Sequence, residues 1–177
     1  MGKHVLILSS SPRPNGNSRA LCASLLQGAL SAGHTAEILD VAALQIHPCG
    51  GCEYCYLHSN QCVIRDDMDL VWEKIDCSDV LVFASPIYFF HFSAQLKLVI
   101  DRLYARYRTM HPTESALLLT AADGESVMKA AKLTYQKIVK CCGLTDRGMV
   151  LAPHVWEAGD IQEHPALGEA YQLGASL

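Results

Sequence analysis

Short, unbroken apolar runs alternate along this chain with longer segments of helical period. His4–Leu8 is a continuous apolar run after a charged start, as expected of a strand buried on both faces. Thr35–Asp40, Asp79–Ala84, Ser115–Thr120 and Arg147–Leu151 read as four further strands. Ser18–Ser31 places Leu21, Leu25 and Ala29 at helical spacing, with Gly33 as its stop. Asp67–Cys77 is a helix with acidic residues in its first turn, where they suit the helix dipole. Phe92–Tyr107 puts Leu96, Ile100, Leu103 and Tyr107 on one helical face, and Glu125–Cys142 and Ala166–Gly174 complete the set. Five strands separated by helices imply right-handed crossovers and a parallel sheet. Open sheets of this kind bind ligands at the carboxyl ends of their strands, so the loops after the strands are where function is sought.

The 177 residues fit a single domain over 1–177, with no repeat or linker. Half of the residues are hydrophobic and 18% are charged, which excludes a disordered, collagenous or coiled-coil chain. A net charge of −4 argues against nucleic-acid or anionic-membrane partners. Apolar runs such as Val80–Ala84 fall far short of the roughly 18 residues of a membrane span. Val5–Leu8 is too short for the core of a secretion signal. The expected location is cytoplasmic, with thiols reduced.

Eight cysteines are an unusual number for such a chain. Cys22, Cys77, Cys141 and Cys142 are scattered in helices or just before a strand and are expected to be buried, inert thiols. Cys49, Cys52, Cys55 and Cys62 instead fall together in a loop at about residues 47–65. Their spacing, C-x2-C-x2-C-x6-C, lets the thiolates converge on one centre. Ferredoxins open their cluster motif with the same C-x2-C-x2-C, which makes a [4Fe–4S] centre one reading. Zinc fits less well, because zinc ribbons use two separated C-x2-C knuckles. A dithiol redox site, free thiols or a disulfide are the other readings. His47 and His58 flank the motif and read as polar loop residues.

After the first strand comes Ser9-Ser10-Ser11-Pro12-Arg13-Pro14-Asn15-Gly16-Asn17-Ser18. Hydroxyls, an arginine and the N–H groups of a helix N-terminus suit an anion, above all a phosphate. The candidates are Ser9, Ser11, Arg13, Asn17 and Ser18. The stretch is neither a Walker loop nor a G-x-G-x-x-G. Its plain alternative is a polar turn in which Asn17 or Ser18 caps the helix. After the third strand, Pro86-Ile87-Tyr88-Phe89-Phe90 offers aromatic surface on which a planar heterocycle can lie, or which packs into the core or a subunit contact. After the fourth, Thr120-Ala121-Ala122-Asp123-Gly124 has small residues that allow close backbone approach, with a turn and an Asp123 helix cap as the alternative.

Ser10–Ser18 resembles the phosphate loop of the flavodoxin-like NADPH-dependent FMN reductase family, with Ser10 where glycine is usual and Ser18 where threonine is commoner. Ser85-Pro86-Ile87-Tyr88-Phe89, followed by S-x-x-L-K-x-x-I-D-R from Ser93 to Arg102, is similar to a signature of the same family. Gly159-Asp160-Ile161 and His164–Leu167 resemble its ending, so the likeness covers almost the whole chain. The resemblance implies a three-layer sandwich, a five-stranded parallel sheet in order 2-1-3-4-5 with helices on both faces. It implies FMN, with its phosphate on Ser11, Arg13, Asn17 and Ser18 beside Ser9. Pro86, Ile87, Tyr88 and Phe89 on one side, and Ala121, Ala122 and Asp123 on the other, would frame the ring. It assigns no catalytic side chain, and it makes Lys97, Asp101 and Arg102 structural. NAD(P)H is the implied electron donor, a small molecule such as a flavin or quinone the acceptor, and a homodimer or homotetramer the assembly.

The cysteine pattern also resembles the compact motif of iron–sulfur flavoproteins, a branch of that family. On that alternative Cys49, Cys52, Cys55 and Cys62 hold a [4Fe–4S] cluster that exchanges single electrons with FMN, and the outside donor is ferredoxin-like. Two rival classes are a flavodoxin-type carrier without a substrate of its own and a non-enzymatic metal-binding module. The long cysteine insert and the P-x-Y-F loop speak against the carrier.

Overall fold

β1 (His4–Ser9) is buried along nearly all of its length. Val5 and Ile7 face one apolar layer while Leu6 and Leu8 face the other, as a strand covered on both sides requires. The computed structural model describes residues 2–177. After β1 come α1 (Asn17–Ser31), β2 (Thr35–Asp40), α2 (Tyr54–Leu57), α3 (Met68–Asp76), β3 (Val80–Tyr88) and β4 (His91–Phe92). The chain continues through α4 (Ala94–Arg102), β5 (Glu114–Thr120), α5 (Lys129–Cys142), β6 (Thr145–Ala152) and α6 (Ala166–Ala175).

The sheet runs β2-β1-β3-β5-β6 with every one of these pairs parallel. That is the 2-1-3-4-5 order of a flavodoxin-like fold. The sixth strand, β4, pairs antiparallel with the end of β3. His91 and Phe92 therefore belong to a hairpin, and the helix expected from Phe92 begins only at Ala94. Ser93 sets that start by accepting from the Leu96 N–H. The helix gives way to a 3₁₀ turn over Leu103–Ala105 instead of running on to Tyr107.

One apolar layer packs Leu6, Phe83 and Leu119 against Trp72, Leu96 and Tyr135 of α3, α4 and α5. The other packs Ile7, Val82 and Leu118 against Leu21, Leu25 and Ala170 of α1 and α6. There the backbones of the two helices touch. A Cβ on Gly28 would stand 2.0 Å from the Tyr171 carbonyl oxygen, and one on Gly174 would stand 2.1 Å from that of Leu25.

The scattered cysteines correct one expectation. Only Cys22 is buried, and burial pushes its thiol up to about 12. Cys142 is half-buried, and burial followed by its neighbour Cys141 raises it to about 11. Cys77 and Cys141 are exposed, because Cys77 is the C-cap of α3 and Cys141 lies on the solvent side of the last turn of α5. The 47–65 segment is not wholly irregular either. It contains the single turn α2, on which Tyr54 stacks against His58 at 3.7 Å. Among the described residues no helix is long and apolar enough to cross a membrane.

Candidate active site

The carboxyl ends of β1, β3, β5 and β6 surround a cleft of about 330 Å3. One end is polar. Gly16 is the N-cap of α1 and has no side chain to satisfy the first N–H groups, so the helix opens onto the cleft uncapped. The expected cap by Asn17 or Ser18 is absent because both side chains are engaged elsewhere. The Asn17 amide donates to the Glu157 carbonyl at 2.9 Å and accepts from the Gly159 N–H at 3.2 Å. The Ser18 and Thr120 hydroxyls lie 2.6 Å apart. Ser11 and Arg13 complete this end, where a Cβ on Gly16 would come within 2.9 Å of Ser11 Oγ. The helix end, three hydroxyls and a guanidinium form a donor set suited to a phosphate.

The rest of the cleft is lined mainly by apolar and aromatic residues. Pro86, Ile87, Tyr88 and Phe89 form one wall. Tyr88 and His91 are paired across the β3–β4 hairpin, and Phe89 and Phe90 make its two-residue turn. Both have positive φ, 46° and 71°, and both stand in solvent, Phe89 at 96% exposure. The opposite wall is Ala121 and Ala122 with Val155 and Trp156. The Ala121 N–H donates to Ala152, and the Val155 N–H donates back to Ala121.

Two networks hold these walls in register. Ser93 Oγ donates to Ser10 Oγ at 2.9 Å, and Ser10 Oγ donates to the Ala84 carbonyl at 2.9 Å. The Ser93 N–H donates to Ser85 Oγ at 2.9 Å. Three buried serines thus tie the phosphate loop to the aromatic loop. On the other side, the Asp160 carboxylate accepts from the N–H groups of Trp156 and Glu157 at 2.8 and 2.7 Å. Arg13 Nη1 donates to the Trp156 carbonyl at 3.0 Å.

Of the residues expected from the sequence, Ser11, Arg13, Asn17, Ser18, Pro86, Ile87, Tyr88, Phe89, Ala121 and Ala122 line this one cleft. Ser9 and Asp123 do not. Ser9 is fully buried beside the Cys22 thiol of α1 and stands outside the cleft lining. Asp123 accepts from the Gly124 N–H at 2.7 Å instead of capping a helix. Sequence reasoning missed Gly16, Thr120, Val155 and Trp156 as lining residues. Trp156 had a signal, since it follows the last parallel strand as the other loops follow theirs.

A second cavity, of about 370 Å3, is lined by Cys49, Cys52, Cys55 and Cys62 together with Arg102. The four clustered thiols therefore face one space, and a tetrathiolate donor set suits iron–sulfur or zinc chemistry. As placed, no three His, Cys, Asp or Glu side chains among the described residues are gathered tightly enough to hold a metal ion.

Residues 4–154 match the family model for NADPH-dependent FMN reductases. The chain belongs to that family. It is thereby placed among the FMN-dependent oxidoreductases. The cleft's donor set fits the cofactor, with a polar end at the α1 N-terminus suited to a phosphate and apolar and aromatic residues suited to a ring system. An iron–sulfur flavoprotein of Archaeoglobus fulgidus is 36% identical to the chain over 180 residues, covering 99% of this chain and 78% of the relative. One of Methanocaldococcus jannaschii is 37% identical over 98 residues, covering 55% of this chain, so that alignment spans about half the length of the relative. Among solved structures, an NAD(P)H:quinone oxidoreductase from Methanothermobacter marburgensis superposes with a TM-score of 0.82 at 21% identity. That superposition covers 99% of this chain and 96% of the other.

Proposed function

We propose that this protein binds FMN in the cleft at the strand ends and passes electrons from NAD(P)H to a small acceptor such as a quinone or a free flavin. The observation that carries the reading is the cleft itself, polar at an uncapped helix N-terminus and aromatic along its walls. FMN bound there supplies the hydride and electron chemistry. Ser11, Arg13, Ser18 and the first N–H groups of α1 bind the phosphate. Asn17 acts at one remove, holding the 157–161 turn against the helix start. Pro86–Phe89 and Ala121–Ala122, with Trp156, orient the ring and exclude water from its faces. No side-chain acid or base is required of the chain. Purified protein, with FMN added if needed, is expected to absorb near about 375 and 450 nm and to oxidise NAD(P)H with a quinone. Absence of flavin binding rejects the reading. Flavin binding without turnover favours an electron carrier.

A second reading is supported by the four cysteines lining one cavity: a [4Fe–4S] centre that exchanges single electrons with the flavin, fed by a ferredoxin-like donor. The names of the archaeal relatives support it as well. Protein isolated under argon is then expected to carry about four iron atoms per chain, as the cluster formula requires. Iron far below one atom rejects this reading and leaves the first standing. The clustered thiols support a reducing, cytoplasmic setting. Exposed Phe89, Phe90 and Trp156 around the cleft mouth support a homodimer or homotetramer, and a monomeric mass by light scattering rejects it.

A further inference from the structure

Arg102 ends α4 and is only 2% exposed. Its guanidinium forms a fork on Asp66, with Nη1 donating to Oδ2 at 2.7 Å and Nη2 to Oδ1 at 3.2 Å. Nη1 also donates to the His47 carbonyl at 3.0 Å, and Nη2 to that of Ile64 at 3.3 Å. Asp66 in turn accepts from the N–H groups of His47 at 2.8 Å and Met68 at 3.0 Å. One ion pair therefore fastens both ends of the segment that carries Cys49–Cys62 onto α4.

The fork leaves one donor over. Arg102 Nε is buried and has no hydrogen-bond partner among the described residues. A buried cationic donor without an acceptor is costly, and native structures keep such a group where something else satisfies it. Arg102 lines the cavity with the four cysteines, whereas Asp66 does not, so the cationic end of the pair faces that space. Of the four cysteines in that lining, Cys62 is the one beside the Arg102 guanidinium. Asp101 also lines the cavity, and its carboxylate is taken up by Lys97 Nζ at 2.6 Å.

We propose that Arg102 is a positioning residue of the cysteine centre: it anchors the loop and presents a buried positive charge, with its Nε–H for Cys62, to a thiolate-bound metal in the cavity. The inference rests on the reading that these cysteines ligate a metal. Four thiolates outweigh a doubly positive core, and the excess negative charge needs a buried counter-charge. Donors beyond the ligands orient the sulfurs and tune the site.

The test uses the full chain under argon, with Co(II) as a probe of thiolate ligation and reconstitution with iron and sulfide as the second arm. Arg102→Gln combined with Asp66→Asn removes the cation that lines the cavity together with the carboxylate behind it, so neither charge is stranded. Its FMN content is expected to stay at the wild-type level, while Co(II) binds about tenfold more weakly and iron leaves to a chelator about tenfold faster. The reconstituted centre is expected to have a more negative reduction potential, which a merely structural role would not produce. Arg102→Lys keeps a cation beside Asp66 but loses the Nε–H, and a several-fold loss of Co(II) affinity is expected. Wild-type metal affinity in the folded double variant overturns the inference. If that variant does not fold, wild-type affinity in Arg102→Lys overturns it. Co(II) binding that depends on Arg102, in a protein that takes up no cluster, rejects the iron–sulfur reading alone. A wild-type protein that binds neither metal rejects both.

Discussion

Arg13 holds the Trp156 carbonyl at 3.0 Å with one nitrogen of its guanidinium, and the remaining donors are free to meet a phosphate at the same end of the cleft. Arg13→Ala is expected to lower FMN affinity by about tenfold or more, since a hydrogen bond to a charged group is worth about 1.5–3 kcal/mol. A fluorescence titration of FMN into apoprotein measures it, and unchanged affinity removes Arg13 from the phosphate end. The residues of this end were legible because helix starts that bind anions draw on a small set of residue types. Ser10 was legible only in part. It stands where the family has glycine, and a small side chain was all the sequence asked for. Its buried hydroxyl in fact links Ala84 to Ser93, a contact across 83 residues that no local pattern announces. Trp156 is held at the cleft by Arg13 and Asp160, again through partners far apart or hidden in backbone geometry.

The β3–β4 hairpin is the element on which sequence and structure part most. Positive φ at both turn residues marks a type I′ turn, which favours Asn-Gly, yet the chain places Phe89 and Phe90 there. Non-glycine residues held in this region cost on the order of 1–3 kcal/mol each. The apolar period of Leu96, Ile100, Leu103 and Tyr107 that suggested a helix from Phe92 could not reveal a two-residue strand, because His91 and Phe92 are in a strand only through their pairing with β3. Replacing Phe89 and Phe90 by Asn and Gly is expected to raise resistance to urea by about 1–3 kcal/mol while weakening FMN or acceptor binding, since Phe89 lines the cleft. Equilibrium unfolding and a flavin titration read the two effects separately. A less stable variant would show that the phenylalanines support the fold and not the cleft.

At the scale of the whole molecule, the parallel sheet was readable because buried strands are written as unbroken apolar runs, and the strand order followed from the family likeness. How the cysteine segment is attached was not readable, since its two ends meet α4 through Arg102 and Asp66, 36 residues apart. That attachment gives the fold a pH-dependent seam. Burial alone would raise the Asp66 pKa. The Arg102 hydrogen bonds and the N–H groups of His47 and Met68 more than reverse this and hold it down at about 2, against an ordinary value of 3.8. A depressed carboxylate stabilises the folded state fully above its unfolded pKa and loses that contribution as pH falls through the folded one. Between about pH 4 and 2 the molecule is therefore expected to lose about 2 kcal/mol from this group, because each tenfold change in proton affinity on folding is worth about 1.36 kcal/mol. The Asp66 side chain is 3% exposed, so screening by solvent or salt takes little from that figure. Urea unfolding at pH 5 and pH 2.5 measures the loss in wild type. In the Arg102→Gln/Asp66→Asn variant, where neither group titrates, the same pH step is expected to cost about 2 kcal/mol less. Equal acid sensitivity in the two proteins would place the acid-labile contacts elsewhere in the fold.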